Sequence, residues 1–166
     1  MRARETGGDG HRAAAVTRSV TVEVAADSTI WAHNDRGVVM PIGTGWQSDT
    51  FNPIELLLVA LGGCAAIDFT KVLEKRGYPL TGLAIEVVGQ RASDERFEGL
   101  QVRYLLPPDV NVSDEDIEVA RRLTADVLCT VSRTIVQSCL VEHVVLRSFA
   151  EPNLAAAPST TKDATR

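Results

Sequence analysis

Apolar and polar positions alternate in three short stretches near the beginning of the chain and predict a small sheet there. Val20–Val24 carries valine at every second position, which is the period of a half-buried strand. Thr29–His33 and Val38–Met40 flank Asn34–Gly37, whose composition is typical of a turn. The three stretches therefore predict a three-stranded N-terminal meander.

A long apolar stretch follows and predicts a helix. Asn52 is a good N-cap, and Pro53 suits the first helical position. Glu55 stands where it can complete a capping box. Ile54–Ile67 is apolar on all sides, which predicts a helix buried in the core rather than lying on it. Gly77 is a natural C-terminal stop.

The next pattern predicts a hairpin and a second helix. Apolar residues occupy alternate positions in 83–87 and 100–106, and Ser93–Arg96 between them has a turn composition. Three acidic residues follow Ser113, which is typical of a helix start because negative charge complements the helix dipole. We expect this helix to end near Cys129.

The last predicted elements are a short helix and a strand. Ser132 can cap a helix that runs through Cys139, and Val141–Phe149 reads as a closing strand. The order βββ-α-ββ-α-α-β predicts an α+β fold in a single domain over residues 18–150. We expect residues 1–17 and 151–166 to be flexible tails, because neither has an apolar period. One chain is not expected to cover so apolar a central helix, so a homodimer is predicted.

Composition and charge narrow the class of protein. The net charge of the 166 residues is -5, and we find no cluster of Lys and Arg, which argues against nucleic-acid binding. The N-terminus lacks the apolar core of a signal peptide, and Ile54–Ile67 is too short to span a bilayer. A cytoplasmic protein without membrane attachment is therefore expected.

Three cysteines are the candidates for chemistry: Cys64, Cys129 and Cys139. They form no C-x-x-C pair and no zinc pattern with the three histidines, so neither a metal nor another cofactor is predicted. In a reducing compartment, such cysteines are more often catalytic or metal-binding than structural. Cys139 has no activating neighbours and is assigned a structural role.

The two remaining cysteines each allow two interpretations. Gly62 and Gly63 precede Cys64, and such a pair in a helix either admits a close neighbour to the backbone or serves tight packing around a small buried cysteine. Cys129 precedes a predicted helix, where the helix dipole and Arg133 would lower the pKa of its thiol. The alternative is that Cys129 is another core cysteine.

The stretch from Asn52 to Asp68, with its Leu-Gly-Gly-Cys sequence, resembles the central helix of the OsmC/Ohr family. Cys129–Ser132 resembles the second cysteine motif of that family, and the order of the elements is also similar. The resemblance covers about residues 18–149. Within the family, the Ala-Ile-Asp sequence after the cysteine is most similar to the YhfA-like branch.

The resemblance implies an intertwined, two-sheet homodimer around buried central helices that reduces organic hydroperoxides in oxidative-stress defence. It assigns Cys64 as the peroxidatic cysteine and Cys129 as the resolving cysteine, with a dithiol as the reductant. The alternative is a non-catalytic OsmC-like protein that binds an apolar or electrophilic small molecule at the dimer interface.

In the peroxidases of the family, an acidic residue pairs with an arginine. The chain departs from that pattern at the acidic residue. Ile54 occupies the position of that acid in this sequence. Glu55 is adjacent but lies about 100° further round the helix, so the role does not transfer to it directly. Arg36 is the nearest candidate for the arginine. Arg36 and Glu55 are retained as further candidate site residues.

Overall fold

The computed structural model describes residues 17–92, 96–137 and 139–147. The predicted tails therefore lie outside the described residues, apart from Thr17. The chain divides into two compact units, with the boundary between Pro53 and Ile54.

The first unit contains the predicted meander. Strands β1 (Val20–Val24), β2 (Ile30–Asn34) and β3 (Val39–Ile42) form an antiparallel sheet in the order β1-β2-β3. The turn before β3 closes where the Gly37 N–H donates to the Asn34 carbonyl at 3.0 Å. Gly37 has a φ of 78°, a left-handed conformation that favours glycine.

The prediction that β1 is half-buried is wrong for the single chain. Its valines, Val20, Val22 and Val24, are 66%, 56% and 70% exposed. The alternation correctly indicated a strand, because the period of two follows from strand geometry. Burial depends on which surface covers the strand, and the alternation does not determine that.

The second unit combines helices with a mixed sheet. Helix α1 (Pro53–Lys75) precedes strands β4 (Ala84–Arg91) and β5 (Phe97–Leu106), which pair antiparallel as the predicted hairpin. Strand β6 (Leu140–Arg147) pairs with β5 in parallel, so the sheet order is β4-β5-β6. Residues 93–95 of the predicted turn lie outside the described residues.

A parallel β5–β6 pair requires a crossover connection. The chain supplies it as helix α2 (Asp114–Leu123), a π-helical segment (Thr124–Leu128) and helix α3 (Thr130–Ile135). Helix α2 starts after Ser113, as predicted, and the Ser113 side chain caps it by accepting a hydrogen bond from the Asp116 N–H. The mixed α+β class and the element order are thus confirmed, with a π-helical segment inserted before the last helix.

Two details of this connection correct the sequence-based expectations. The cap of α3 is Cys129, whose Sγ accepts from the Ser132 N–H, so Ser132 lies inside the helix instead of starting it. The helix ends at Ile135 and does not run through Cys139. The thiol takes the position and the hydrogen bond that a Ser or Asp cap normally has.

Helix α1 is buried along one face only, which corrects the prediction of burial on all sides. Leu61, Ala65 and Phe69 on that face are fully buried, whereas Val59 and Ile67 are 48% and 53% exposed. The apolar exposed face is the part of the helix that the single chain leaves uncovered. By length and composition alone α1 could cross a membrane, a test that the core helices of soluble proteins also pass.

The core lies between α1, the sheet of the second unit and α2. Leu100, Val102, Tyr104 and Leu106 alternate along β5 and are all buried, as their spacing predicts. The Phe69 and Tyr104 rings have centroids 4.5 Å apart and join α1 to the central strand.

Candidate functional site

Two thiols and one carboxylate come together in the second unit. Cys64 and Asp68 are one helical turn apart on α1, so they lie on the same side of the helix. Cys129 stands between the π-helical segment and α3. The sulfur atoms of Cys64 and Cys129 and a carboxylate oxygen of Asp68 all lie within 4.8 Å of one another. We call these three residues the thiol–carboxylate cluster.

The three members of the cluster differ in exposure. Cys129 is fully buried, whereas Cys64 and Asp68 are only half-buried. The Cys64 thiol donates a hydrogen bond to Oδ2 of Asp68 at 3.7 Å. All three cysteines of the chain are free thiols. Reagents can therefore reach Cys64 more readily than Cys129.

Burial, the largest cause, and hydrogen bonding with Cys64 together raise the pKa of the Cys129 thiol to about 11. The Ser132 N–H, which donates to Cys129 Sγ at 3.4 Å, acts in the opposite direction but does not compensate. The prediction of a lowered pKa is wrong because desolvation of the thiolate outweighs the local helix. Arg133 does not offset this, since its guanidinium donates to the Val127 carbonyl at 3.1 Å.

A buried polar chain lies on the sheet side of Cys129. The Tyr104 hydroxyl and His143 Nδ1 are 2.6 Å apart, and His143 Nε2 is 3.3 Å from the Ser132 hydroxyl. Burial lowers the pKa of His143 to about 4 and raises that of Tyr104. His143 is therefore a neutral, satisfied histidine that orients Ser132 in the turn after Cys129.

The other candidate residues lie outside the cluster. The Cys139 thiol donates to the Leu140 carbonyl at 3.5 Å, and the structural role assigned to Cys139 stays a prediction. Glu55 is in the first turn of α1, where a cap is needed. Arg36 is an exposed residue of the turn in the first unit. The roles proposed for Arg36 and Glu55 therefore stay predictions.

Sequence reasoning missed Asp68 as a site residue. The available signal was its spacing from Cys64, because residues at i and i+4 of a helix are neighbours on one face. That spacing places the Asp68 carboxylate beside the Cys64 thiol. Cys64 and Cys129 were identified correctly as the two cysteines that the fold brings together.

The two glycines before Cys64 have different surroundings. A Cβ on Gly62 would lie 3.0 Å from Val87 Cγ2 and 3.6 Å from Ile85 Cγ2, so β4 approaches the helix backbone at this residue. A Cβ on Gly63 would meet no described atom within 4 Å. The close neighbour is a strand rather than another helix, and it explains one glycine of the two.

The fold and the cluster define a small α+β protein that holds two neighbouring free thiols between a long helix and a crossover connection. The chain belongs to the OsmC-like protein family, whose sequence model matches residues 46–144. No curated protein is significantly similar to it in sequence.

Solved structures share the fold at low sequence identity. A hypothetical protein from Aquifex aeolicus VF5 is 22% identical, with a TM-score of 0.69, covering 82% of this chain and 100% of that one. An OsmC-like protein from Mycoplasma pneumoniae is 15% identical, with a TM-score of 0.67, covering 80% and 96%. The organic hydroperoxide resistance protein OhrB of Bacillus subtilis is 17% identical, with a TM-score of 0.54, covering 79% and 98%.

Proposed function

We propose that the protein reduces organic hydroperoxides through Cys64 and Cys129 and so serves in peroxide defence. The observation that carries this proposal is the pair of free thiols whose sulfur atoms lie within 4.8 Å of each other. The solved structures with this fold include organic hydroperoxide resistance proteins, which supports the substrate class. Assignment to the YhfA-like branch of the family is part of the same proposal.

Cys64 is the residue that attacks the peroxide in this mechanism. It is the more exposed of the two thiols, and Asp68 Oδ2 accepts its S–H hydrogen bond. Transfer of the proton to Asp68 gives the thiolate, which is the nucleophilic form of cysteine. The sulfur attacks one peroxide oxygen as the O–O bond breaks, leaving the Cys64 sulfenic acid and, after protonation, an alcohol.

Cys129 is the residue that resolves the sulfenic acid. Because its pKa is raised to about 11, it remains a thiol while Cys64 reacts. Its sulfur then attacks that of Cys64, an S–S bond forms, and the hydroxyl leaves as water after taking up the Cys129 proton. A dithiol reductant reopens the disulfide by exchange and returns both thiols.

The surroundings of the thiols favour an apolar substrate and a second subunit. Ile67 on α1, and Val127 and Leu128 just before Cys129, are exposed apolar residues next to the cluster in sequence. Such residues would suit an apolar peroxide or the matching surface of a homodimer. We further propose a cytoplasmic location, since free thiols persist in a reducing compartment.

The test is peptide mapping by mass spectrometry after reduced protein receives one equivalent of cumene hydroperoxide. The expected product is a Cys64–Cys129 disulfide that a dithiol reverses. Cys139→Ser is the matched control and should give the same disulfide at the same rate. Cys129→Ser should stop at a sulfenic or overoxidised Cys64, and Cys64→Ser should leave Cys129 reduced.

Each other result contradicts a defined part of the proposal. Overoxidised Cys64 beside a free Cys129 in the wild-type protein would refute the resolving role of Cys129. Loss of oxidation in Cys139→Ser would refute the choice of the pair. No reaction at either thiol would refute the peroxidase and favour the non-catalytic binder of an apolar or electrophilic molecule.

The homodimer has its own test. Sedimentation at micromolar concentration should give twice the chain mass. The exposed face of α1 carries apolar residues, and removing them from water in a dimer interface is favourable. Ile67→Lys on that face should weaken association, whereas Glu115→Ala, at an exposed position of α2, should not. A wild-type monomer at that concentration would refute the dimer.

A further inference from the structure

We propose that the thiol–carboxylate cluster is a three-ligand site for a thiophilic divalent cation, with Zn²⁺ as the test ion. Cys64 and Cys129 would supply two thiolates and Asp68 one carboxylate oxygen. The inference concerns metal binding alone and does not depend on the peroxidase activity.

The geometry of the cluster fits such an ion. Zinc binds thiolate sulfur at about 2.3 Å and carboxylate oxygen at about 2.0–2.2 Å, so two sulfur ligands of a tetrahedral site lie about 3.8 Å apart. The three donor atoms lie within 4.8 Å of one another before any ion is bound. Closing around an ion therefore requires shifts of about 1 Å at most, which side-chain rotation can supply.

The donor types also fit. Two thiolates and a carboxylate carry three negative charges, which a divalent cation offsets to a net charge of about -1. Binding converts two thiols into thiolates, so two protons leave for each ion bound. The ion can enter past Cys64 and Asp68, which are only half-buried. Cys129 is fully buried and forms the inner end of the site.

The positions of the ligands are fixed from outside the cluster. Cys64 and Asp68 share one rigid helix, and the Ser132 N–H donates to Cys129 Sγ at 3.4 Å. His143 in turn contacts the Ser132 hydroxyl at 3.3 Å. Hydrogen bonds to the ligating side chains orient them around a metal, and three protein ligands leave a fourth tetrahedral position for water or an exogenous ligand.

The spacing of the ligands explains why motif reasoning predicted no metal. Zinc motifs place ligands in close pairs along the chain, such as C-x-x-C. Here one close pair is Cys64 and Asp68 at i and i+4, and the third ligand, Cys129, arrives through the crossover after β5.

The test is titration of the reduced full-length chain with Zn²⁺ under anaerobic conditions, in competition with a chromophoric chelator. Cd²⁺ provides a second readout through thiolate-to-metal charge-transfer absorption. We expect one ion per chain. Cys64→Ser and Cys129→Ser should each weaken binding by about 100-fold or more, and Asp68→Asn by at least about 10-fold, since the loss of a residue that only hydrogen-bonds to a ligand already costs about 10–100-fold.

Two variants outside the cluster serve as controls. Cys139→Ser removes a thiol outside the cluster, and Glu74→Gln removes an exposed carboxylate from α1; neither should change the affinity. Unchanged affinity in Cys64→Ser, or lost affinity in Cys139→Ser, would overturn the site. Unchanged affinity in Asp68→Asn would overturn the three-ligand assignment.

Failure of this inference is distinguishable from failure of the proposed function. A protein that binds Zn²⁺ but shows no Cys64–Cys129 disulfide after peroxide would support the site and refute the peroxidase. A protein that forms the disulfide but binds no Zn²⁺ would do the reverse. If both hold, the disulfide removes two ligands, and prior oxidation should abolish binding until a dithiol is added.

Discussion

Alanine at Gly62 and at Gly63, introduced one at a time, should have different effects on stability. Both residues lie inside α1, and alanine is favoured over glycine in a helix interior by about 1 kcal/mol. At Gly63 a Cβ meets no described atom within 4 Å, so the free energy of unfolding should rise by nearly this amount.

At Gly62 the same gain is opposed by a clash. The added Cβ lies 3.0 Å from Val87 Cγ2, and Val87 is a β-branched residue paired with the buried Val102. Its side chain is stiff at χ1, and overpacking of this kind costs about 1–3 kcal/mol. The net effect of Gly62→Ala should lie between no change and a loss of about 2 kcal/mol. The two variants should therefore differ by about 1–3 kcal/mol.

Urea denaturation of both variants at one protein concentration measures the difference. For a chain of this size, 1 kcal/mol corresponds to about 2–4 °C in Tm, so thermal unfolding gives an independent value. The slope of the urea transition should be unchanged, because neither substitution alters the area exposed on unfolding. Equal stabilisation by both alanines would refute the argument that β4 approaches the backbone at Gly62.

Three further predictions concern single side chains. Burial lowers the pKa of His143 to about 4. Between this value and the ordinary histidine pKa of about 6.5, His143 therefore binds a proton in the unfolded chain but not in the folded chain. Stability should thus be full above pH ~6.5 and fall by at most about 3 kcal/mol towards pH ~4, and a His143→Gln variant with the same pH dependence would contradict this. The Thr124 hydroxyl is buried without a partner among the described residues, so Thr124→Val should raise the free energy of unfolding by about 1–2 kcal/mol in urea titrations; a loss would show an important polar role. Glu55→Ala should cost about 1 kcal/mol as the loss of a helix cap, with the rate of Cys64 oxidation nearly unchanged, whereas slow oxidation at unchanged stability would indicate a catalytic role.

The sequence by itself determined the elements, because their signals are local. The alternation along β5, the acidic start of α2 after Ser113 and the Gly77 stop after α1 each depend on a few neighbouring residues, and all three agree with the structure. The two cysteine motifs also sufficed for the family. These features follow from backbone geometry and capping, which act over one or two helical turns.

Only the tertiary structure decided the chemistry of the site, because burial and long-range proximity are not local. The parallel crossover after β5 brings Cys129 to Cys64 and Asp68. Desolvation at that position raises the pKa of the Cys129 thiol, although its place before α3 predicted the opposite. The apolar period of α1 likewise could not show which face the chain covers. Dielectric surroundings and packing partners come from residues distant in sequence, and they outweighed the local pattern at these positions.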